Sequence, residues 1–340
     1  MIDFIEAMPK IDLHCHLDGA VRPQTLLELA HENEISLPAT TVEGMSPFLR
    51  ADDNCASLAE YLRKFQIPLR CLQLSSAQTR VAREVVEDAS AHHVKYVEVR
   101  FSPQSMAQGD VSAETAVTNV IEGLKQGEEE TGTLARAILI CMRGDPVSKN
   151  LEVVELAAQY YGRGVVGVDL AGNEADYPPS LYRDVFQLAQ KRGLPITIHA
   201  GENGPADYIR EAVCRLGAVR IGHGVHLRDD PEVEQLVRQR KVALEICVSS
   251  NVQTKAVQSL ADHPVRQYFD HGLCVTVNTD NPTVSNTDIT REFQILFQKF
   301  HFTYAEMKTL LLNAVGASFL EKEKKEALAK TVGQEWKKIL

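Results

Sequence analysis

Positive charge is the scarcer kind in this 340-residue chain: 36 Lys and Arg stand against 46 Asp and Glu, a formal net charge of −10. Nucleic acid and anionic membrane surfaces, which such a chain repels, are therefore not expected partners. No apolar run approaches the ~20 residues of a membrane span. The opening residues Met1-Ile2-Asp3-Phe4-Ile5-Glu6 lack the basic start and apolar stretch of a signal peptide. The seven cysteines are odd in number and contain no Cys-x-x-Cys pair. Several fall in strand-like apolar runs, where a free cysteine behaves as a small buried hydrophobe. A reducing, cytoplasmic setting is the expectation. There is no linker, low-complexity run or internal repeat. With 44% hydrophobic residues there is ample material for one core, so residues 1–340 are expected to form a single domain.

The most informative stretch is Ile11-Asp12-Leu13-His14-Cys15-His16-Leu17-Asp18-Gly19. Its apolar/polar alternation has the period of a β-strand, so Ile11, Leu13, Cys15 and Leu17 share one face and Asp12, His14, His16 and Asp18 the other. Four polar groups on one face are costly in a dry core. They point instead to a functional cavity, and two imidazoles two residues apart can reach one metal ion together.

Seven further apolar runs read as strands: 94–101, 135–141, 164–170, 194–199, 220–223, 242–247 and 274–278. Helical patterns lie between them, such as 76–92, 113–130, 179–192, 205–216 and 230–240, with a shorter one at 264–271. Eight strand–helix alternations without a Gly-rich nucleotide fingerprint after the first strand predict an α/β fold, a (β/α)8 TIM barrel. Residues 21–93 carry several helices before the second strand and read as an inserted lid. Extra helices follow residue 286, ending in the charged stretch Glu321 to Lys338.

Barrel enzymes build their sites at the C-terminal ends of the strands. Those ends here carry His14, His16 and Asp18, then His199 and Glu202, His223, Ser249-Ser250-Asn251, and Asp280. Three imidazoles and a carboxylate (His14, His16, His199, Asp280) suit Zn2+. A metal with one open position lowers the pKa of its water towards ~7. Glu202 suits a proton donor or acceptor beside the metal. His223, flanked by glycines that admit a close substrate, suits a second acid/base or an orienting group. His31, His92, His93, His226, His263, His271 and His301 are read as hydrogen-bonded structural residues. Glu98, Arg100, Arg143 and Glu245 are read as ion pairs inside the barrel. Leu58, Leu62 and Phe65 could be core or substrate gate.

The chain resembles the adenosine deaminase family of the amidohydrolase superfamily. The resemblance rests on Asp12-Leu13-His14-Cys15-His16-Leu17-Asp18-Gly19, Tyr96 to Pro103, Asp169-Leu170-Ala171-Gly172-Asn173-Glu174, His199-Ala200-Gly201-Glu202, Ile221-Gly222-His223-Gly224 and Asn278-Thr279-Asp280. It implies zinc-dependent hydrolytic deamination of adenosine and 2′-deoxyadenosine in purine salvage, with one Zn2+ per subunit held by His14, His16, His199 and Asp280. It also implies that Glu202 protonates the ring nitrogen next to C6 and that His223 orients or deprotonates the attacking water. His16, Asp18, Gly172 and Asn281 would contact the substrate, Gly172 through its backbone N–H to a ring nitrogen and Asp18 at the ribose 5′-hydroxyl.

Binuclear relatives need a lysine at the end of strand four. Here that end reads Leu170-Ala171-Gly172, so a single metal is expected. Asn281 stands where many members of the family carry a second aspartate. Its amide donates at any pH, whereas an aspartate must be protonated to do so. The runner-up readings are a deaminase of a related 6-aminopurine (adenine or a modified adenine nucleoside), a non-catalytic purine-binding barrel, and a metal-dependent hydrolase of amides or esters.

Overall fold

The computed structural model describes residues 2–51, 55, 57–109 and 111–339. Eight strands appear in the expected order: β1 (Lys10–His16), β2 (Val94–Phe101), β3 (Leu134–Met142), β4 (Val165–Ala171), β5 (Thr197–Ala200), β6 (Arg220–His223), β7 (Ala243–Ile246) and β8 (Cys274–Val277). All pairings are parallel, in two four-stranded sheets ordered β1-β2-β3-β4 and β5-β6-β7-β8. Isolated parallel bridges at Val168↔Ile196 and Cys15↔Asp280 join the sheets at both seams and close the barrel. β5 begins later than the apolar run from Leu194 because Pro195 has no N–H for a ladder. Pro195 contributes only its carbonyl, which accepts the Val168 N–H at 3.0 Å.

The β1/β8 seam is closed by side chains as well as backbone. The Leu13 N–H donates to Asn278 Oδ1 at 2.9 Å, and the Thr279 hydroxyl donates to the Asp12 carboxylate at 2.5 Å. The pairing of β1 with β2 slips between Asp12 and Cys15. Asp12 is thereby turned to the seam, away from the face it was expected to share with His14 and His16. Asp18 lies beyond the strand end, in a turn.

Between β1 and β2 the insertion consists of helices Pro23–Glu32, Val42–Leu49, Leu58–Leu62 and Gln66–Cys71, with a 3-10 turn at Arg63–Phe65. Side-chain caps start two of them: Thr41 Oγ1 accepts the Gly44 N–H at 3.1 Å and Ser57 Oγ the Glu60 N–H at 3.3 Å. Leu58, Tyr61 and Phe65 pack with Ala51, Cys55 and Val284 in a cluster separate from the main core. The Tyr61 and Ser285 hydroxyls, 2.7 Å apart, tie this insertion to the segment after β8. The next helix, Ser75–Ala91, begins the regular alternation. Three helices, Ile289–Phe300, Tyr304–Ala317 and Lys322–Lys338, follow β8. Among the described residues, no helix is long and apolar enough to cross a membrane, and every cysteine is free.

Inside the barrel, Arg100 bonds Asp169 and Glu245, each at 2.9 Å, and Arg220 bonds Glu98 and Glu245, each at 2.6 Å. The ion pairs expected of Glu98, Arg100 and Glu245 are thus present, fully buried. Arg143 departs from that expectation. It donates to the carbonyls of Tyr177 and His199 and lines the cavity described next.

Candidate active site

At the C-terminal ends of the strands, four ring and carboxylate atoms converge. His16 Nε2 lies 3.2 Å from both His14 Nε2 and His199 Nε2. Asp280 Oδ1 lies 3.3 Å from His14 Nε2 and 3.4 Å from His16 Nε2. A tetrahedral ion with bonds of ~2.0–2.1 Å sets its ligand atoms about 3.3 Å apart, so these spacings fit one small cation.

The tautomers strengthen that reading. His14 Nδ1 sits 2.8 Å from Glu245 and His199 Nδ1 sits 3.0 Å from Asp169, both buried carboxylates. A carboxylate accepts, so each Nδ1 carries the proton and each Nε2 presents a lone pair to the centre. Lone pairs facing one another at such distances repel unless a cation lies between them. The Ser250 hydroxyl donates to Asp280 Oδ2 at 2.5 Å, leaving Oδ1 for the centre. Asp280 has no guanidinium partner among the described residues, whereas Asp169, Glu245 and Glu98 are each paired with Arg100 or Arg220, so a cation at the centre would face an otherwise uncompensated carboxylate.

His223 stands next to this cluster. One donor atom each from His14, His199, His223 and Asp280 also falls within 4.8 Å of the others, which would make His223 an alternative ligand to His16. His223 Nδ1, however, is 2.9 Å from the Asn251 amide nitrogen, which donates to it. A neutral ring whose Nδ1 lone pair is engaged carries its proton on Nε2 and has no lone pair left for a metal. His16 is therefore the better third imidazole. Burial drives the His223 pKa well below the usual imidazole value, which keeps the ring neutral. His223 Nε2 faces Glu202 Oε2 at 3.7 Å. Burial, reinforced by the Asp280 carboxylate, pushes the Glu202 carboxyl up to about 8. Two residues here, His223 (φ 64) and Asp280 (φ 61), hold left-handed backbone conformations, strain of the kind that collects at functional sites.

A cavity of about 310 Å3 opens onto the cluster. His16, Asp18, Gly172, His199, Glu202, His223, Asp280 and Asn281 line it, with Leu58, Tyr61, Leu62, Phe65 and Leu69 from the insertion. The profile of the adenosine deaminase family matches residues 9–335. The chain belongs to the adenosine deaminase family. An adenosine deaminase of Enterococcus faecalis is 42% identical over 330 residues, covering 97% of each chain. One from Clostridium acetobutylicum is 42% identical over 323 residues, covering 95% of this chain and 96% of that one. The crystal structure of an adenine deaminase from Arthrobacter aurescens superposes with a TM-score of 0.90 at 32% identity, covering 98% of this chain and 100% of that one.

The candidate site residues expected from the sequence thus meet in one place. His14, His16, His199 and Asp280 converge, Glu202 and His223 face each other beside them, and Asp18, Gly172 and Asn281 line the same cavity. Leu58, Leu62 and Phe65 prove to be cavity wall as well as local core. The glycines flanking His223 do not admit substrate. A Cβ on Gly222 would sit 3.1 Å from the His14 ring, and one on Gly224 would sit 3.0 Å from Leu244, so both make room for neighbouring side chains.

Several supporting residues in this deaminase fold make contacts that their place in the sequence does not reveal. Glu174 takes four backbone N–H groups on its carboxylate, from Gly201, Glu202, Asn203 and Gly204, at 2.7–3.0 Å. It fixes the loop that presents Glu202. Asp169, Glu245, Ser250 and Asn251 orient the metal-side groups from strand ends far apart in sequence. The position of Ser250 and Asn251 just after the seventh strand was the only clue to their part.

Proposed function

We propose that this chain hydrolyses the 6-amino group of adenosine and 2′-deoxyadenosine, giving inosine and 2′-deoxyinosine with release of ammonia. The observation that carries the reading is Glu202 Oε2 3.7 Å from His223 Nε2, beside four converging groups spaced for a cation and open to one cavity; burial raises the Glu202 pKa and favours its protonated form. One Zn2+ suits the nitrogen and oxygen donors of His14, His16, His199 and Asp280. When bound, it supplies Lewis acidity and lowers the pKa of a water towards ~7.

The protein's own groups supply the rest. Glu202 gives its proton to the ring nitrogen next to C6, which makes C6 electrophilic as the water oxygen attacks. His223 Nε2 points to the same side and orients the attacking oxygen. A C6–O bond forms and the C6–N bond breaks; of the two protons of the water, one restores the Glu202 carboxyl and the other goes to the amino group, which leaves as ammonia. Asp18 and Asn281 each carry a buried oxygen with no hydrogen-bond partner among the described residues. Both line the cavity, as groups awaiting substrate do. Asp18 would bind the 5′-hydroxyl and repel a 5′-phosphate, while Asn281 and the Gly172 N–H would read the purine. The free cysteines, five of them buried, fit a reducing cytoplasm.

The likeness to an adenine deaminase supports a second reading, in which the free base is the substrate. A spectrophotometric panel separates the two. Adenosine and deoxyadenosine should lose their ultraviolet maximum to that of the 6-oxo product, with adenine and 5′-AMP turned over far more slowly. No conversion of either nucleoside at saturating zinc refutes the proposal, and preferential conversion of adenine establishes the second reading.

A further inference from the structure

The hydrogen bonds behind His223 continue into the fold and end at a helix. The Val265 N–H, in the first turn of the helix Val265–Asp270, donates to His263 Nδ1 at 3.1 Å. His263 is buried, and burial together with the Arg228 charge pushes its pKa down to about 3, so its ring is neutral. With Nδ1 accepting, its single proton lies on Nε2. That nitrogen is 3.1 Å from the Asn251 side-chain oxygen. Asn251 accepts there and must present its NH2 on the other side, where His223 Nδ1 waits at 2.9 Å. Each link fixes the direction of the next, and the first is a backbone amide that cannot turn round.

We propose that Asn251 and His263 are positioning residues that lock His223 with its proton on Nε2, so that it enters the reaction as a hydrogen-bond donor to the attacking oxygen. Neither residue lines the substrate cavity. The proposal deepens the deaminase reading of the site, and rests on it only for the kinetic part of the test below. It also chooses between orienting and deprotonating the water. A ring whose Nδ1 is engaged and whose Nε2 is protonated cannot take the first proton. The chain of bonds is built like the buried group that holds a catalytic imidazole in one tautomer in serine hydrolases, where the wrong tautomer is costly to kcat, but here a neutral amide and a second histidine do the holding.

The test uses the metal-loaded full chain labelled with 15N-histidine, His223 being assigned by its loss in His223→Gln. Two-bond 1H–15N correlations show which ring nitrogen carries the proton. The unvaried protein should give the Nε2–H pattern. Asn251→Asp puts an acceptor opposite both imidazoles, so the His223 pattern should invert to Nδ1–H. Its kcat should fall on the order of tenfold to hundredfold, with KM within about twofold because the substrate contacts are untouched. His263→Gln keeps one acceptor and one donor and should preserve both the pattern and kcat; His263→Leu should lose both. An Nδ1–H pattern in the unvaried protein overturns the proposal. So does an unchanged pattern in Asn251→Asp, or an inverted pattern with normal kcat. Should Asn251→Asp fail to fold, the His263 pair decides in the same terms. Should no aminopurine be turned over, the deaminase reading fails while the tautomer measurement still settles the relay.

Discussion

Glu202 Oε2 lies 3.7 Å from His223 Nε2, and burial favours the neutral form of both groups. Burial moves them in opposite directions, the carboxyl up to about 8 and the imidazole well below its usual value. Both shifts place the proton on the carboxyl in preference to the imidazole. A general acid holding its proton at working pH is what protonation of a purine ring requires.

In the proposed mechanism turnover requires the protonated form of Glu202, which is complete at low pH and lost as pH rises through the carboxyl pKa. A bound cation lowers a neighbouring carboxyl pKa, so kcat/KM for adenosine should decline on the alkaline side from a midpoint no higher than about 8. Glu202→Gln should keep its metal and fold and lose on the order of 10²–10⁴ in kcat. Near-normal kcat in that variant would remove the assigned role.

Metal content separates His16 from His223. His16→Ala takes away a converging lone pair and should leave purified, dialysed protein largely metal-free, whereas His223→Ala should retain about one equivalent. Elemental analysis of the two proteins reads this directly. The reverse pattern would exchange their roles.

The carboxylates behind the ligands should tune affinity without contributing bonds. Glu245→Gln and Asp169→Asn each weaken the hold on a ring Nδ1 and should raise the zinc dissociation constant about 10- to 100-fold. Arg100 ties both carboxylates together and also donates to the Leu13 carbonyl. Arg100→Leu removes the only guanidinium partner, among the described residues, of the buried Asp169, while Glu245 keeps Arg220, and should lower unfolding stability by about 3–5 kcal/mol, measured by denaturant titration. A loss no larger than that of an exposed ion pair would show that the network is dispensable.

Gly19 keeps the place of Asn281. A Cβ at Gly19 would lie 2.0 Å from Asn281 Oδ1, so Gly19→Ala must displace that amide. One lost hydrogen bond corresponds to roughly a tenfold rise in KM for adenosine. Asn281→Asp should instead add a pH-dependent term to kcat/KM, because a carboxyl donates only when protonated. Identical pH profiles for Asn281→Asp and the unvaried enzyme would rule out a contact between this side chain and the purine.

The barrel and the convergence of His14, His16, His199 and Asp280 were legible because both depend on local pattern. Period-two alternation marks each strand, and chemistry-bearing residues at strand ends gather by the geometry of the fold. Asp12 was misplaced because the slip in β1–β2 pairing after it depends on the partner strand. Arg143 looked like an ion-pair residue until the fold placed it against two carbonyls. The part played by His263 was hidden for the same reason. Its neighbours in sequence say nothing of Asn251, and only folding brings the two within 3.1 Å.

The central claim is that one divalent cation, held where His14, His16, His199 and Asp280 converge, is required for deamination of adenosine. Chelator-stripped enzyme titrated with zinc tests it most directly, following conversion to inosine by absorbance. Activity should be absent at the start, rise in proportion to added zinc, and level off at about one equivalent per chain. Full activity in the stripped protein would contradict the claim, as would a rise that continues past a second equivalent.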